Sequence, residues 1–276
     1  MSRKKNRSPH SAQRPTLFLE TSVFINRRFH HHIVRAEIER VIASQRCVTS
    51  KYVEMEFKRR VVKTLIEFHA VLDDENSLGD ALHHFSEGFA SRRDKIILRA
   101  LGTLVNETDL ASDKNKALKH FEMLIEAAIE GFEASVDGWI NNRQRCPLAS
   151  ASINTGYTTF TEEIECRTKC TVEQFWDAHQ LDLKTLIANR NAPTHRGNRG
   201  FAELYQAMDE AVADPASQKT KMKCMRSGDL IIGLEAPPQF TLVTFDRAFA
   251  AICSILGKPY QIIPSFQALR KMTSST

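Results

Sequence analysis

The sequence predicts an α/β fold with a parallel sheet, interrupted by a long, mostly helical insertion. Three observations carry this expectation. Residues 17–25 (LFLETSVFI) form a short apolar run that ends on Glu20 and passes into a helical start. Residues 239–245 (QFTLVTF) repeat the pattern near the other end of the chain and stop at Asp246. Between them, residues 73–225 have mostly helical periodicity. In open α/β sheets ligands bind just beyond the carboxyl ends of the strands, so an acid at such an end is a candidate site residue.

A chain of 276 residues can bury a full core. Hydrophobic residues make up 42% and charged residues 26%, which excludes a disordered or fibrous class. No apolar run reaches the roughly 18 residues of a membrane helix. The basic N-terminus has no apolar stretch behind it, unlike a secretory signal. The expectation is a cytoplasmic protein without a membrane partner. The net charge of +5 is concentrated in Arg3, Lys4, Lys5, Arg7 and Arg14. Without these five, the chain has 33 bases and 33 acids. Residues 1–15 therefore read as a disordered basic arm that can also track phosphates. Six cysteines spread along a chain with no signal read as reduced thiols. Cys166-x3-Cys170 lacks the tight spacing of a zinc ribbon or finger.

In chain order, residues 16–20 read as the first strand. Residues 30–44 read as a helix on the spacing of Ile33, Ala36, Ile38, Val41 and Ile42, with His30, His31 and His32 as its solvated start. Residues 46–50 (RCVTS) form a second strand. Thr49 or Ser50 then caps a helix over 51–72 with Glu54 and Glu56 in its first turns. After a turn-rich break at 73–79, helices are expected over 80–89, 92–105 and 115–140. Residues 141–170 are polar and loop-like, with INTGYTTFT as a short hairpin or an extended loop.

Helices follow over 171–189 and 201–212. Two basic loops flank the second of these. Residues 191–200 carry His195, Arg196 and Arg199, and residues 213–226 carry Lys219, Lys221, Lys223 and Arg226. Such loops suit phosphate contacts or simple solvation. Residues 227–235 (SGDLIIGLE) start a helix with Ser227 as cap and Asp229 in the first turn. The strand at 239–245, a helix from 247 to 256, a stop at Gly257 and a last strand at 259–264 complete the chain.

Glu20, Glu56, Asp229 and Asp246 all fall at strand ends or helix starts, which share one rim of a parallel sheet. Crowded carboxylates repel one another unless a cation joins them. Oxygen-rich clusters suit Mg²⁺ or Mn²⁺, whose use in such settings is phosphodiester hydrolysis. The chain has no GxSxG elbow, GxGxxG or GxxxxGK[ST] motif, so nucleophilic-serine and nucleotide-loop chemistry are not expected.

The segments LFLETSVFI, TSKYVEMEF, SGDLII and LVTFDRAF resemble the four acidic motifs of the PIN-domain ribonucleases, including VapC-like members. The last block, with its apolar strand, Thr244-x-Asp246 and a following aromatic, matches most closely, and Ser50-x5-Glu56 matches the second motif in spacing. The likeness covers residues 16–72 and 226–270. It implies a Rossmann-like three-layer α/β/α nuclease domain over 16–72 and 226–276, with 73–225 as the helical insertion and a possible protein-partner surface. It further implies Glu20, Glu56, Asp229 and Asp246 as catalytic, metal-binding acids, Ser22 and Thr244 as supporting hydroxyls, and RNA as the substrate, with single-stranded DNA as a further possibility. Arg196, Arg199, Lys219, Lys221 and Lys223 are the expected nucleic-acid contacts. One departure stands out: the family ordinarily has Asp where this chain has Glu20. The alternative expectation is a detuned RNA-binding or protein-interaction module.

Overall fold

The computed structural model describes residues 15–88, 110, 112–140, 153–154, 159–160, 170–190 and 199–273. β1 (Thr16–Leu19) leads into α1 (Thr21–Phe29) and α2 (His32–Ile42). β2 (Arg46–Thr49) leads into α3 (Lys51–Phe57), which runs through a π-helical stretch, Lys58–Val62, into α4 (Lys63–Asp74). α5 (Leu78–Gly88) and α6 (Lys114–Glu133) precede β3 (Gly138–Trp139), and then come two short strands, β4 (Ile153–Asn154) and β5 (Thr159–Phe160). Next are α7 (Val172–Ala178), α8 (Gln180–Ala188), α9 (Arg199–Ala213) and α10 (Lys221–Arg226). α11 (Gly228–Glu235), β6 (Thr241–Thr244), α12 (Arg247–Ile255), β7 (Tyr260–Ile262) and α13 (Phe266–Thr273) close the chain.

Five strands form one parallel sheet in the order β3-β2-β1-β6-β7. Phe18 is opposite Val48 on one side and Leu242 on the other. Phe18, Leu19, Leu242 and Val243 are at most 1% exposed, as expected for strands covered on both faces. The chain winds outward from β1 through β2 to β3, then returns to the opposite side of β1 as β6 and β7. The gap between the ends of β1 and β6 is thus the switch point of the sheet. The fold class is α/β, as the apolar runs ending in acids indicate.

Part of the stretch expected as an insertion belongs to this core. Phe132 of α6 lies 4.2 Å from Phe24 and 4.8 Å from Phe57, ring centre to ring centre. Phe121 meets Phe68 of α4 at 4.8 Å. The helix expected over 115–140 ends at Glu133, and Gly138–Trp139 is an edge strand instead. Asp137 N–H donates to Cys47 O at 2.7 Å, and Asp137 Oδ2 accepts from Cys47 N–H at 2.7 Å. These bonds satisfy an otherwise open edge of β2, and they outweigh continued helix through an Asp-Gly pair of low helix propensity.

Of the hairpin or extended loop expected within INTGYTTFT, the structure describes an antiparallel pairing of Ile153 with Phe160 and Asn154 with Thr159. The single helix expected over 171–189 breaks at His179 into α7 and α8. The basic stretch 213–226 is not a loop: a 3-10 turn at Pro215–Gln218, capped by Asp214, is followed by α10, capped by Thr220. The helix expected over 92–105, the loop 191–198 and residues 1–14 of the arm lie outside the described residues. Among the described residues, no helix is long and apolar enough to cross a membrane.

Candidate functional site

Glu20 follows β1 directly, and its N–H reaches Val243 O of β6 at 3.4 Å. It is also the N-cap of α1: Oε2 accepts from Ser22 N–H at 2.6 Å, and Oε1 accepts from the Ser22 hydroxyl. The residue is 3% exposed. That burial pushes its carboxyl up to about 7; the Ser22 hydroxyl and N–H pull it down, Glu56 repels it upward and Thr244 pulls it down again. A neutral-pH solution therefore holds this carboxyl between its two protonation states.

Thr244, the last residue of β6, is fully buried beside it, and its Oγ1 accepts from Asp246 N–H at 2.8 Å. Ser22 Oγ accepts from Phe245 N–H at 3.3 Å. The two hydroxyls predicted as supporting groups thus tie the ends of β1 and β6 together around Glu20.

Glu56 reaches the same place from α3, whose start is fixed by Ser50 Oγ accepting from Val53 N–H at 3.2 Å. Its Oε2 accepts from the Thr21 hydroxyl, and its Oε1 pairs with Arg60 Nη2 at 2.7 Å. The π-helical stretch begins two residues later, where Lys63 N–H bonds Lys58 O, and it contains Arg60. Such bulges recur at functional sites because the extra residue re-aims side chains.

Asp229 lies half-buried in the first turn of α11. The glycine before it lies close against α3. A Cβ on Gly228 would stand 3.3 Å from Tyr52 Oη and 3.5 Å from Glu56 Oε1. Tyr52 Oη donates to Cys224 O at 2.8 Å and so fixes α10 against α3 just ahead of α11. Asp246 is exposed and caps α12, accepting from Ala248 N–H at 2.8 Å.

The acids therefore do not form one tight ring. Glu20 and Glu56 interact as a pair, Asp229 adjoins Glu56 through Gly228, and Asp246 adjoins Glu20 through Thr244. Among the described residues, no group of three or more His, Cys, Asp or Glu side chains is arranged to hold a metal ion. The oxygens that meet there are carboxylate and hydroxyl oxygens, the ligand type that hard cations prefer, while the Arg60 guanidinium already offsets charge on Glu56.

Glu54 stands apart: buried at 3% exposure, it is held by Lys51 at 2.8 Å and Lys58 at 2.7 Å. Two of the expected phosphate contacts are engaged within the chain. Lys219 pairs with Glu173, and Lys223 pairs with Glu210 at 3.2 Å. The side chains of Arg199 and Lys221, and all of Arg196, lie outside the described residues.

Thr21, Arg60 and Gly228 are the site residues that sequence reasoning passed over. Gly228 had one available signal, a glycine placed between a helix cap and an acid where it lowers helix propensity. No family model, curated protein or solved structure matches this chain.

Proposed function

We propose that the chain is a metal-dependent endoribonuclease, with a PIN-like arrangement of its α/β core, that hydrolyses RNA phosphodiester bonds at the β1–β6 rim. The observation that carries this reading is the buried Glu20–Glu56 pair at the switch point of the sheet, each acid oriented by hydroxyls of the chain. Glu20 and Glu56 would hold Mg²⁺ or Mn²⁺, with Asp229 and Asp246 completing the set from two helix starts. The ion when bound supplies a more acidic attacking water and neutralises charge on the phosphate.

Ser22 and Thr244 fix the Glu20 carboxylate, while Thr21 and Arg60 fix Glu56. The Arg60 side chain is 47% exposed, so its remaining donors face solvent, where a strand phosphate can take them. In the reaction a water oxygen bonds to phosphorus as the P–O bond to the leaving strand breaks. The water gives up a proton, and the leaving oxygen gains one.

A second reading is favoured by a specific observation: Glu20, Glu56 and Asp246 each already have a partner in the chain. That pattern fits a non-cleaving RNA-binding or protein-interaction module. Cleavage of mixed RNA and single-stranded DNA by pure protein, in Mg²⁺, Mn²⁺ and EDTA, separates the two. The nuclease cleaves in either metal, stops in EDTA and is silenced by Asp246→Asn, which keeps the helix cap because Asn caps as well as Asp. Glu20→Asp keeps or raises the rate. Cleavage that persists in EDTA sinks the metal-dependent reading. Salt-sensitive RNA binding without turnover, indifferent to both substitutions, establishes the second.

A further inference from the structure

A cleft of about 580 Å³ opens between α1, α2 and the C-terminal part of α6, on the α1 turn farthest from Glu20. One wall is cationic, with Arg27, Arg28 and Arg35 against a single acid, Glu39. Arg27 is already committed, since its Nε and Nη2 lie 2.7 and 3.2 Å from the Glu39 carboxylate. Arg28 and Arg35 are exposed and have no ion pair among the described residues. α6 contributes small side chains to the lining, among them Ala127 and Gly131, and the rings of Phe24, Phe57 and Phe132 complete it.

We propose that this cleft binds a phosphomonoester of nucleotide size, with the phosphate between Arg28 and Arg35 and the nucleoside against the small-residue wall of α6. Charge points to the phosphate. Three arginines less one glutamate leave the lining at +2, and a phosphomonoester carries about −1.5 to −2 near pH 7. Guanidinium forks suit phosphate oxygens better than point cations do. Volume points to the nucleotide, since ligand pockets hold roughly 300–1,000 Å³. The small wall leaves room for a flat group where larger side chains would fill the space. A free mononucleotide and the terminal phosphate of an RNA strand share this chemistry. The site is separate from the carboxylate pair and does not depend on cleavage.

Calorimetric titration of the full chain in EDTA and low salt, with 5′-AMP, adenosine, inorganic phosphate and oligoribonucleotides bearing a 5′-phosphate or a 5′-hydroxyl, tests it. The expected result is binding of 5′-AMP or of the 5′-phosphorylated strand, with adenosine and the 5′-hydroxyl strand at least tenfold weaker. Binding of 5′-AMP assigns a free nucleotide; binding of the phosphorylated strand alone assigns a strand end. Arg28→Ala and Arg35→Ala each weaken it at least tenfold. Gly131→Leu does the same while leaving the melting temperature unchanged or higher, because a Cβ at Gly131 meets no heavy atom within 4 Å. Equal binding of adenosine and 5′-AMP, wild-type affinity in all three variants, or no binding by any probe at millimolar concentration overturns the proposal.

Discussion

Replacing Glu20 by Gln keeps its shape and removes its charge. Gln can still cap α1, its carbonyl accepting from Ser22 N–H and its amide donating to the Ser22 hydroxyl. Burial holds the folded-state carboxyl at about 7 against 4.5 for the free group. A raised carboxyl favours folding while it is protonated. That stability is fully present below pH 4.5 and is lost as pH rises through 7. The gap between the two values corresponds to about 3 kcal/mol.

The variant escapes that loss. In EDTA it should match wild type near pH 4 and unfold roughly 5–10 °C higher at pH 8, at a few degrees per kcal/mol for a chain of this size. Mn²⁺ should raise wild-type melting more at pH 8 than at pH 6, since proton and cation compete for one carboxylate, and should leave Glu20→Gln unmoved. Differential scanning calorimetry of the two proteins across pH reads all of this. Because the measurement is a difference between variants, titrating groups that do not interact with Glu20 cancel, and the remaining coupling is to Glu56. A Glu20→Gln protein that is no more stable than wild type at pH 8 refutes the account of Glu20 as a buried, repelled acid.

Glu235 ends α11 buried, with neither carboxyl oxygen in a well-formed hydrogen bond, and burial pushes it up to about 8 against a weaker pull from the nearby Ser50 hydroxyl. By the same sign its contribution disappears as pH rises through 8, so Glu235→Met should raise the melting temperature more at pH 9 than at pH 5. Two helix glycines should respond in opposite directions in urea unfolding. A Cβ on Gly233 of α11 would stand 2.9 Å from Ile252 Cγ2, so Gly233→Leu should cost about 1–3 kcal/mol. Gly131→Ala meets nothing and should gain about 0.5–1 kcal/mol.

The sheet was legible where local pattern and tertiary demand coincide. β1 and β6 are apolar runs buried on both faces, and each gives way to a buried polar residue, Glu20 just after β1 and Thr244 at the end of β6. Ser50 was legible as a cap because capping is local, and it set Glu56 two turns into α3. β3 was not legible, since two residues carry no period and pair only because β2 has an open edge. Arg60 was open to view and passed over: it stands four residues after Glu56, the spacing that brings opposite charges together on one helix face. Lys219 and Lys223 read as free cations because their acids, Glu173 and Glu210, reach them only through helix packing.

Glu20 shows how a local rule can change the meaning of a motif. Read from the sequence, it stood out as a Glu at a strand end where the resembled family ordinarily has Asp. In the structure α1 begins at the next residue, and the longer side chain folds back to take both the N–H and the hydroxyl of Ser22. The methylene thus serves the cap, and the cap directs the carboxylate. Asp is itself a strong N-cap, so Glu20→Asp preserves α1 and withdraws the carboxylate by one C–C bond, toward its own backbone. A rate that holds or rises then locates the productive carboxylate position near the strand end. A rate that falls while the melting temperature holds overturns that expectation and makes the outward position the working one.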